Sequence, residues 1–326
     1  MNIRKNTFRW SVMTMAVILP LSLVAIAAFL TTYAWPAIHF NGWGFLLHND
    51  WDLGRMYGNP IVKDGQTILP GASYGILFLI VGTLLSSLIA IILALPLGIF
   101  SAIFIAEGLQ GPLREAASFL VELLAAVPSV VYGLFGYIVL IPFLGHHVYP
   151  LLSHTVGRYI PWFGGESGSG YGLLTAGFIL TLMIVPLISA TLRDALNSTP
   201  RALRESGISM GASRMEVVLH ILLPQNRKVL IGATILALGR ALGETMAVLM
   251  VSGNALNVLP SNVYSSVSTM ASFIVSQLDS ALQDPTGMAV MSLAEVGLVL
   301  MLISILVNAA ARALLSLAGM RGRVKA

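Results

Sequence analysis

Arg240 and Glu244 are the two charged residues in an otherwise apolar run, 229–251. A guanidinium is planar, always charged and suited to two-point binding of an oxyanion. Arginine at the centre of a membrane helix costs roughly 2.5–3.5 kcal/mol on insertion scales, so it usually faces a bundle interior or a water-filled path. A four-residue spacing lets Arg240 and Glu244 touch, although arginine before glutamate is the less favourable order on a helix. Two readings therefore stay open: an ion pair that locks helices together, or a brief foothold for an anion in transit. Gly239 and Gly243 flank the arginine and let a neighbouring helix come close. Glu122 and Glu295, in two other apolar runs, are secondary candidates, either to pair with a neighbouring subunit or to sit at an interface.

The other informative constellation is the charged stretch 193–228. Thr199-Pro200 reads as an N-cap followed by proline at the first helical position. Arg201 to Ser206 continue as a short amphipathic helix, Gly207 and Gly211 permit a tight bend, and 213–222 form a second helical stretch before Pro224. Taken alone, this is a solvated helical hairpin joining two apolar runs.

Other chemistries fail on residue type. With no cysteine, the chain has neither thiolate catalysis nor zinc-thiolate sites. A phosphate-cradling P-loop needs G-x-x-x-x-G-K-[S/T], and none of Lys5, Lys63, Lys228 and Lys325 follows a glycine. No H-E-x-x-H is present. His146 and His147 are adjacent, but neighbouring helical residues diverge by about 100°, so they read as interfacial histidines. No catalytic residue, metal site or resident cofactor is expected.

The composition says what must position these residues. Of 326 residues, 56% are hydrophobic and 10% charged, with a mean hydropathy of +0.85. Soluble domains carry roughly a quarter charged residues, so the solvent here is lipid. A crossing helix needs about 20 apolar residues. Six runs qualify, at 12–34, 76–105, 119–144, 173–192, 229–251 and 289–317, giving an all-α integral membrane protein with residues 1–326 as one transmembrane domain. The second run is long and holds Pro96, which a tilt or kink accommodates. The first is longer than a signal-peptide core; despite small residues around Ala25 to Ala28, it reads as an uncleaved anchor.

Basic residues orient the chain, because lysine and arginine concentrate on the cytoplasmic side. Arg4, Lys5 and Arg9, then Arg114, then the six of 193–228, then Arg312, Arg321, Arg323 and Lys325 all fall on one side. The other side has Arg55, Lys63 and Arg158, and Arg240 is left within the membrane. Both termini are thus expected in the cytoplasm, and the net charge of +4 reports topology, not a nucleic-acid surface. The external stretches are 35–75, with Trp35, Trp43 and Trp51 suited to an interfacial belt, glycine-rich 145–171, and 252–287. In the last, 267–278 is apolar but too short to span, so a re-entrant or interfacial helix is expected. No internal repeat or low-complexity segment is evident.

The spacing Glu205-Ser206-Gly207, three residues, Gly211, nine residues, Ile221-x-Leu223-Pro224 resembles the EAA motif of permease subunits of ABC-type importers, with Ser206 and Gly207 in place of the two alanines. Two longer runs are more specific. Glu122-Leu-Leu-Ala-Ala-Val-Pro-Ser-Val-Val-Tyr-Gly133 and Gly239-Arg-Ala-Leu-Gly-Glu-Thr-Met-Ala-Val248 resemble those of PstC-type permeases of bacterial phosphate importers, as do Trp51 and the six-run layout. The resemblance implies the type I importer permease fold in the inner membrane. It implies a coupling helix in which Arg204, Glu205, Ser206, Gly207 and Gly211 serve docking onto an ATPase, and a transport role for Arg240 and Glu244. The implied partners are a second, PstA-type permease, two PstB-type ATPase copies that bind ATP and Mg²⁺, a periplasmic PstS-type phosphate-binding protein, and membrane lipid. Import of sulfate, molybdate or phosphonate is an alternative. An ion-coupled secondary transporter is another, though it leaves the EAA spacing without a reason.

Overall fold

The computed structural model describes residues 2–320 other than 56, 64, 166 and 167, with side chains described within 12–313. The terminal topology signals at Arg4, Lys5 and Arg9 (as side chains) and at Arg321, Arg323 and Lys325 thus lie outside the described residues. The main helices are α1 (Asn2–Asn41), α2 (Leu77–Ile103), α3 (Gly111–Ala126), α4 (Ser129–Phe135), α5 (Leu173–Ser198), α6 (Arg201–Ser209), α7 (Arg214–Val217), α8 (Arg227–Leu242), α9 (Met246–Val251), α10 (Met270–Leu282) and α11 (Met288–Met320). Among the described residues five stretches are each long and apolar enough to cross a membrane: Val12–Asn41, Leu77–Gly108, Ser129–Arg158, Leu173–Ser198 and Met288–Ala313. Arg214–Gln225 and Arg227–Leu242, bent by 69°, make a sixth if counted together.

Two predicted spans are not single helices. The run 119–144 is broken at Val127-Pro128 between α3 and α4, because proline disfavours helical backbone at the residue before it. The run 229–251 is broken at Gly243–Thr245 between α8 and α9. The short apolar run of the third external stretch is a helix, α10.

The chain divides into two compact units. The first comprises Met1–Leu77 and Gln277–Leu302. Along α1 the large side chains lie open, Leu19 at 77% exposure, as expected of a helix solvated by lipid. After it, β1 (Trp51–Asp52) pairs antiparallel with β4 (Ser73–Tyr74), and β2 (Ile61–Lys63) with β3 (Gln66–Ile68). Trp51 is buried, its ring edge-on to Tyr74 at 5.0 Å. Asn41, ending α1, donates to Glu295 Oε2 of α11 at 2.7 Å.

The second unit, Phe78–Ser276 with Ile303–Ala326, is built around α5. That helix buries Leu173, Ile179, Ile184, Ile188, Leu192 and Leu196 among others. Lipid tails are as apolar as leucine, so helices associate in a membrane by close packing and hydrogen bonds more than by escape from water. Small residues make the contacts. Ala90 and Ala94 of α2, Ala237 and Ala241 of α8 and Ala247 of α9 join one buried cluster with Ile179, Ile184 and Ile188. A Cβ on Gly136, just beyond α4, would lie 2.7 Å from Val251 of α9 and 2.9 Å from Ile179 of α5. Overpacking a tight core costs roughly 1–3 kcal/mol. Gly136→Val should therefore lower the midpoint of thermal unfolding in detergent; an unchanged midpoint would contradict this packing.

Candidate functional site

The elbow between α5 and α8 is assembled from local backbone chemistry. α6 begins after Pro200, whose fixed φ suits a helix start. Pro200 is the N-cap, and Thr199 is not: the Thr199 hydroxyl donates back to Ala195 O at 3.0 Å and accepts from Asn226 Nδ2 at 2.9 Å. Asn226 is itself buried and also donates to Leu222 O at 2.9 Å, so it ties the loop's return to its departure.

α6 stops at Gly211, which adopts φ +87°. The Gly211 N–H donates to Ile208 O at 2.9 Å and the Ala212 N–H to Gly207 O at 3.2 Å. That pair of bonds is the Schellman arrangement, which requires a left-handed residue at the turn. Ser213 then opens α7 with a reciprocal capping box: its N–H donates to Glu216 Oε2 at 2.8 Å and its hydroxyl accepts from the Glu216 N–H at 3.3 Å. Gly207 plays a different part from the bend read in the sequence. It lies buried within α6, where a Cβ would be 2.8 Å from both Ile221 Cδ1 and Val217 Cγ2.

Arg204 fastens the elbow. Its guanidinium holds Glu107 Oε1 through Nε at 3.1 Å and Nη2 at 2.8 Å. It also donates to Leu196 O at 2.6 Å and Thr199 O at 2.7 Å. Those carbonyls lie in the last turn of α5 and at the residue that caps it, where intrahelical donors run out. Ala102, Ala106, Leu192, Leu196, Val217, Val218 and Leu222 pack beneath as one buried cluster joining α2, α5 and the elbow. Glu205, Ser206 and Gly211 remain exposed, with Ile208 at 51% and Met210 at 88%. Glu107 was not singled out from sequence, since its partner lies 97 residues away; its one sequence signal is a lone carboxylate closing a long apolar run.

Glu122 pairs within the chain. Arg193 Nη2 contacts Glu122 Oε1 and Asp194 Oδ1, each at 2.8 Å, and Nη1 reaches Ser118 O at 3.3 Å. The Arg193 side chain is only 6% exposed. Arg193, assigned to the loop, is instead buried near the end of α5, whereas the Arg240 side chain lies open on the surface of this subunit. Glu295 is buried in α11 against Asn41 and belongs to the other unit.

Arg240 and Glu244 do not share a continuous helix. Arg240 occupies the last turn of α8, while Glu244 sits in the break, its Oε1 accepting from the Ala247 N–H at 3.4 Å. They form no ion pair within 4 Å among the described residues. Nearby, the Tyr132 hydroxyl donates to Leu124 O at 2.8 Å across the Pro128 break, and Tyr132 is within electrostatic reach of Arg240. The two sequence runs that carried the resemblance meet here: a Cβ on Gly133 would be 2.8 Å from Met250 Sδ and 3.0 Å from Ala247 Cα.

Helices long and apolar enough to cross a membrane, joined by an exposed elbow, fit a membrane permease component. Residues 94–317 match the family described as a binding-protein-dependent transport system inner membrane component. The phosphate transport system permease protein PstC 1 of Mycobacterium tuberculosis is 44% identical over 306 residues, covering 93% of this chain and 90% of that protein. PstC of Pasteurella multocida is 36% identical over 317 residues, covering 94% and 90%. A crystal structure of a bacterial ABC transporter involved in the import of the acidic polysaccharide alginate shares the fold, with a TM-score of 0.50 over 72% of this chain and 77% of that one at 17% identity. The chain belongs to this family of inner membrane components, among its PstC permeases.

A left-handed conformation costs a residue bearing Cβ roughly 1–2 kcal/mol, and asparagine tolerates it better than valine. Gly211→Val should lower the thermal midpoint and raise proteolytic cleavage within 207–214, while Gly211→Asn should stay close to the parent. Arg204→Met strands two carbonyls and Glu107 and should destabilise by about 1–3 kcal/mol, measurable by denaturant titration in detergent. Equal stability of Arg204→Met and the parent would mean that the bonds at Leu196 and Thr199 carry no weight.

Proposed function

We propose that this chain is the membrane-spanning permease subunit of an ATP-driven importer that carries inorganic phosphate into the cytoplasm by alternating access. The observation that carries the reading is 44% identity over nine-tenths of the chain to a phosphate transport system permease protein. No sequence feature or contact favours sulfate, molybdate or phosphonate, and the elbow has no purpose in an ion-coupled secondary transporter.

In this reading both termini and the elbow face the cytoplasm, and the exposed side of α6 is the docking surface. Glu205, Ser206, Ile208 and Met210 face an ATPase of PstB type, which binds ATP and Mg²⁺. Gly207 and Gly211 shape the helix, and Arg204 transmits its displacement, because a guanidinium bonded at once to Glu107, Leu196 O and Thr199 O cannot slip relative to α2 and α5. A PstA-type permease completes the pore, and a PstS-type binding protein delivers phosphate to the outer face. When the ATPases close, the elbow carries α5 with it and the pore opens outward; hydrolysis lets it return.

Arg240 is the residue that meets the anion. Its charge lacks a carboxylate within 4 Å among the described residues, so an incoming oxyanion need not displace a partner. Glu244 stands at the adjacent break, where its negative charge disfavours prolonged retention of an anion. Glu122 and Glu295, each bonded inside the chain, hold helices together.

The test is labelled phosphate uptake by the reconstituted complex, with sulfate and molybdate as competitors. ATP-dependent phosphate uptake that neither competitor suppresses is expected, and Arg240→Ala should reduce it to background while the subunits still co-purify. Preferential uptake of another oxyanion, or normal uptake by Arg240→Ala, would overturn the substrate and the pathway assignments respectively.

A further inference from the structure

Arg240 does not line its cavity alone. A cavity of about 430 Å³ has Arg240, Asn308 and Arg312 as its polar lining and Leu187, Ile235 and Leu236 as an apolar wall. Asn308 and Arg312 are four residues apart on α11 and so present side chains to one face. Gly239 sits beside the amide: a Cβ there would be 3.5 Å from Asn308 Nδ2, an ordinary contact distance. The Asn308 Oδ1 is buried and has no hydrogen-bond partner among the described residues. A buried acceptor left unmatched costs roughly 1–3 kcal/mol, which a donor carried by a ligand would recover.

Neither guanidinium has a carboxylate within 4 Å among the described residues. Arg240 and Arg312, both exposed, line one cavity as like charges, and an anion between them offsets their repulsion. The required ligand thus has two properties. It presents several unprotonated oxygens to the guanidiniums, and it carries an O–H that the Asn308 carbonyl can accept. Inorganic phosphate near neutral pH, as HPO₄²⁻ or H₂PO₄⁻, has both. Sulfate has only the first, and its oxygens would face a buried acceptor.

We propose that Arg240, Arg312 and Asn308 form one oxyanion station within the transport path, in which the arginines hold the charged oxygens and Asn308 selects a protonated oxyanion by accepting its O–H hydrogen. The proposal rests on the phosphate-import reading above and adds to it the residues that check the cargo inside the membrane. A site built to bond a hydroxyl discriminates strongly against an analogue lacking it, since the site's own polar group is then left unpaired.

The chain contains no cysteine, which makes the test direct. Gly239→Cys places its only thiol at the cavity wall, and modification by a sulfonate-bearing thiol reagent is followed by the mass of this subunit in the purified complex. Inorganic phosphate should slow that modification at least tenfold, and equimolar sulfate should not. In the double variant with Asn308→Leu, sulfate and phosphate should protect alike. Arg312→Gln should slow phosphate uptake at least tenfold with the subunits still co-purifying, and Arg312→Lys should recover part of the rate. Absence of protection in a complex that imports phosphate would overturn the station and leave the importer intact. Protection by anionic lipid in place of phosphate would overturn it too, assigning the cavity to a headgroup. A parent complex that moves no phosphate would remove the function on which the station stands.

Discussion

The guanidinium of Arg204, bonded to the last carbonyls of α5, is one instance of a constraint that governs this molecule. A helix in lipid has no water to satisfy the backbone groups left open where it ends or breaks. This chain breaks its helices repeatedly, and at these breaks a side chain or a tight turn supplies a missing bond. Tyr132 reaches Leu124 O across Pro128, Asn226 reaches Leu222 O at the bend before α8, and Glu244 accepts from the Ala247 N–H at the start of α9. Gly211, in the exposed elbow where water is at hand, closes α6 through its left-handed turn. Arg204, Gly211 and Glu244, singled out in the sequence, are thus among those that keep an interrupted backbone satisfied.

That double duty explains what was legible in advance. Apolar runs long enough to cross the membrane are visible in one dimension, because lipid imposes a length on each helix. The elbow was visible because glycine, proline and a capping serine act on their own neighbours. Arg193 was misplaced since helix ends are set by what satisfies them, and Arg204 lets α5 run on to Ser198. Arg240 and Glu244 were read as four apart on one helix, although Gly243 to Thr245 interrupt it. Glu107 and Asn308 were missed because their importance depends on residues far along the chain, and spacing carries no trace of such pairings. The proximity of Glu122–Gly133 to Gly239–Val248, likewise, became visible only in space.

The chain divides its labour by chemistry. Charge-assisted contacts lie in the elbow and at its root, where Glu107, Glu122, Arg193 and Arg204 are paired. The cavity around Arg240 is the reverse: guanidiniums without carboxylate partners within 4 Å among the described residues, and an amide oxygen without a donor. On the reading proposed above, the elbow that relays force has its bonds satisfied, whereas the cavity that accepts and releases cargo has unmet ones.

The interruption at Gly243–Thr245 has a mechanical consequence. It separates α8, which bears Arg240 beside the cavity, from α9, which is keyed into α4 through Gly133 and Met250. A straight rod would oblige both halves to swing together, and any tilt of the arginine would pry α9 out of its seat. In the alternating-access cycle proposed above, a jointed rod lets α8 pivot with its guanidinium while α9 stays clamped against α4.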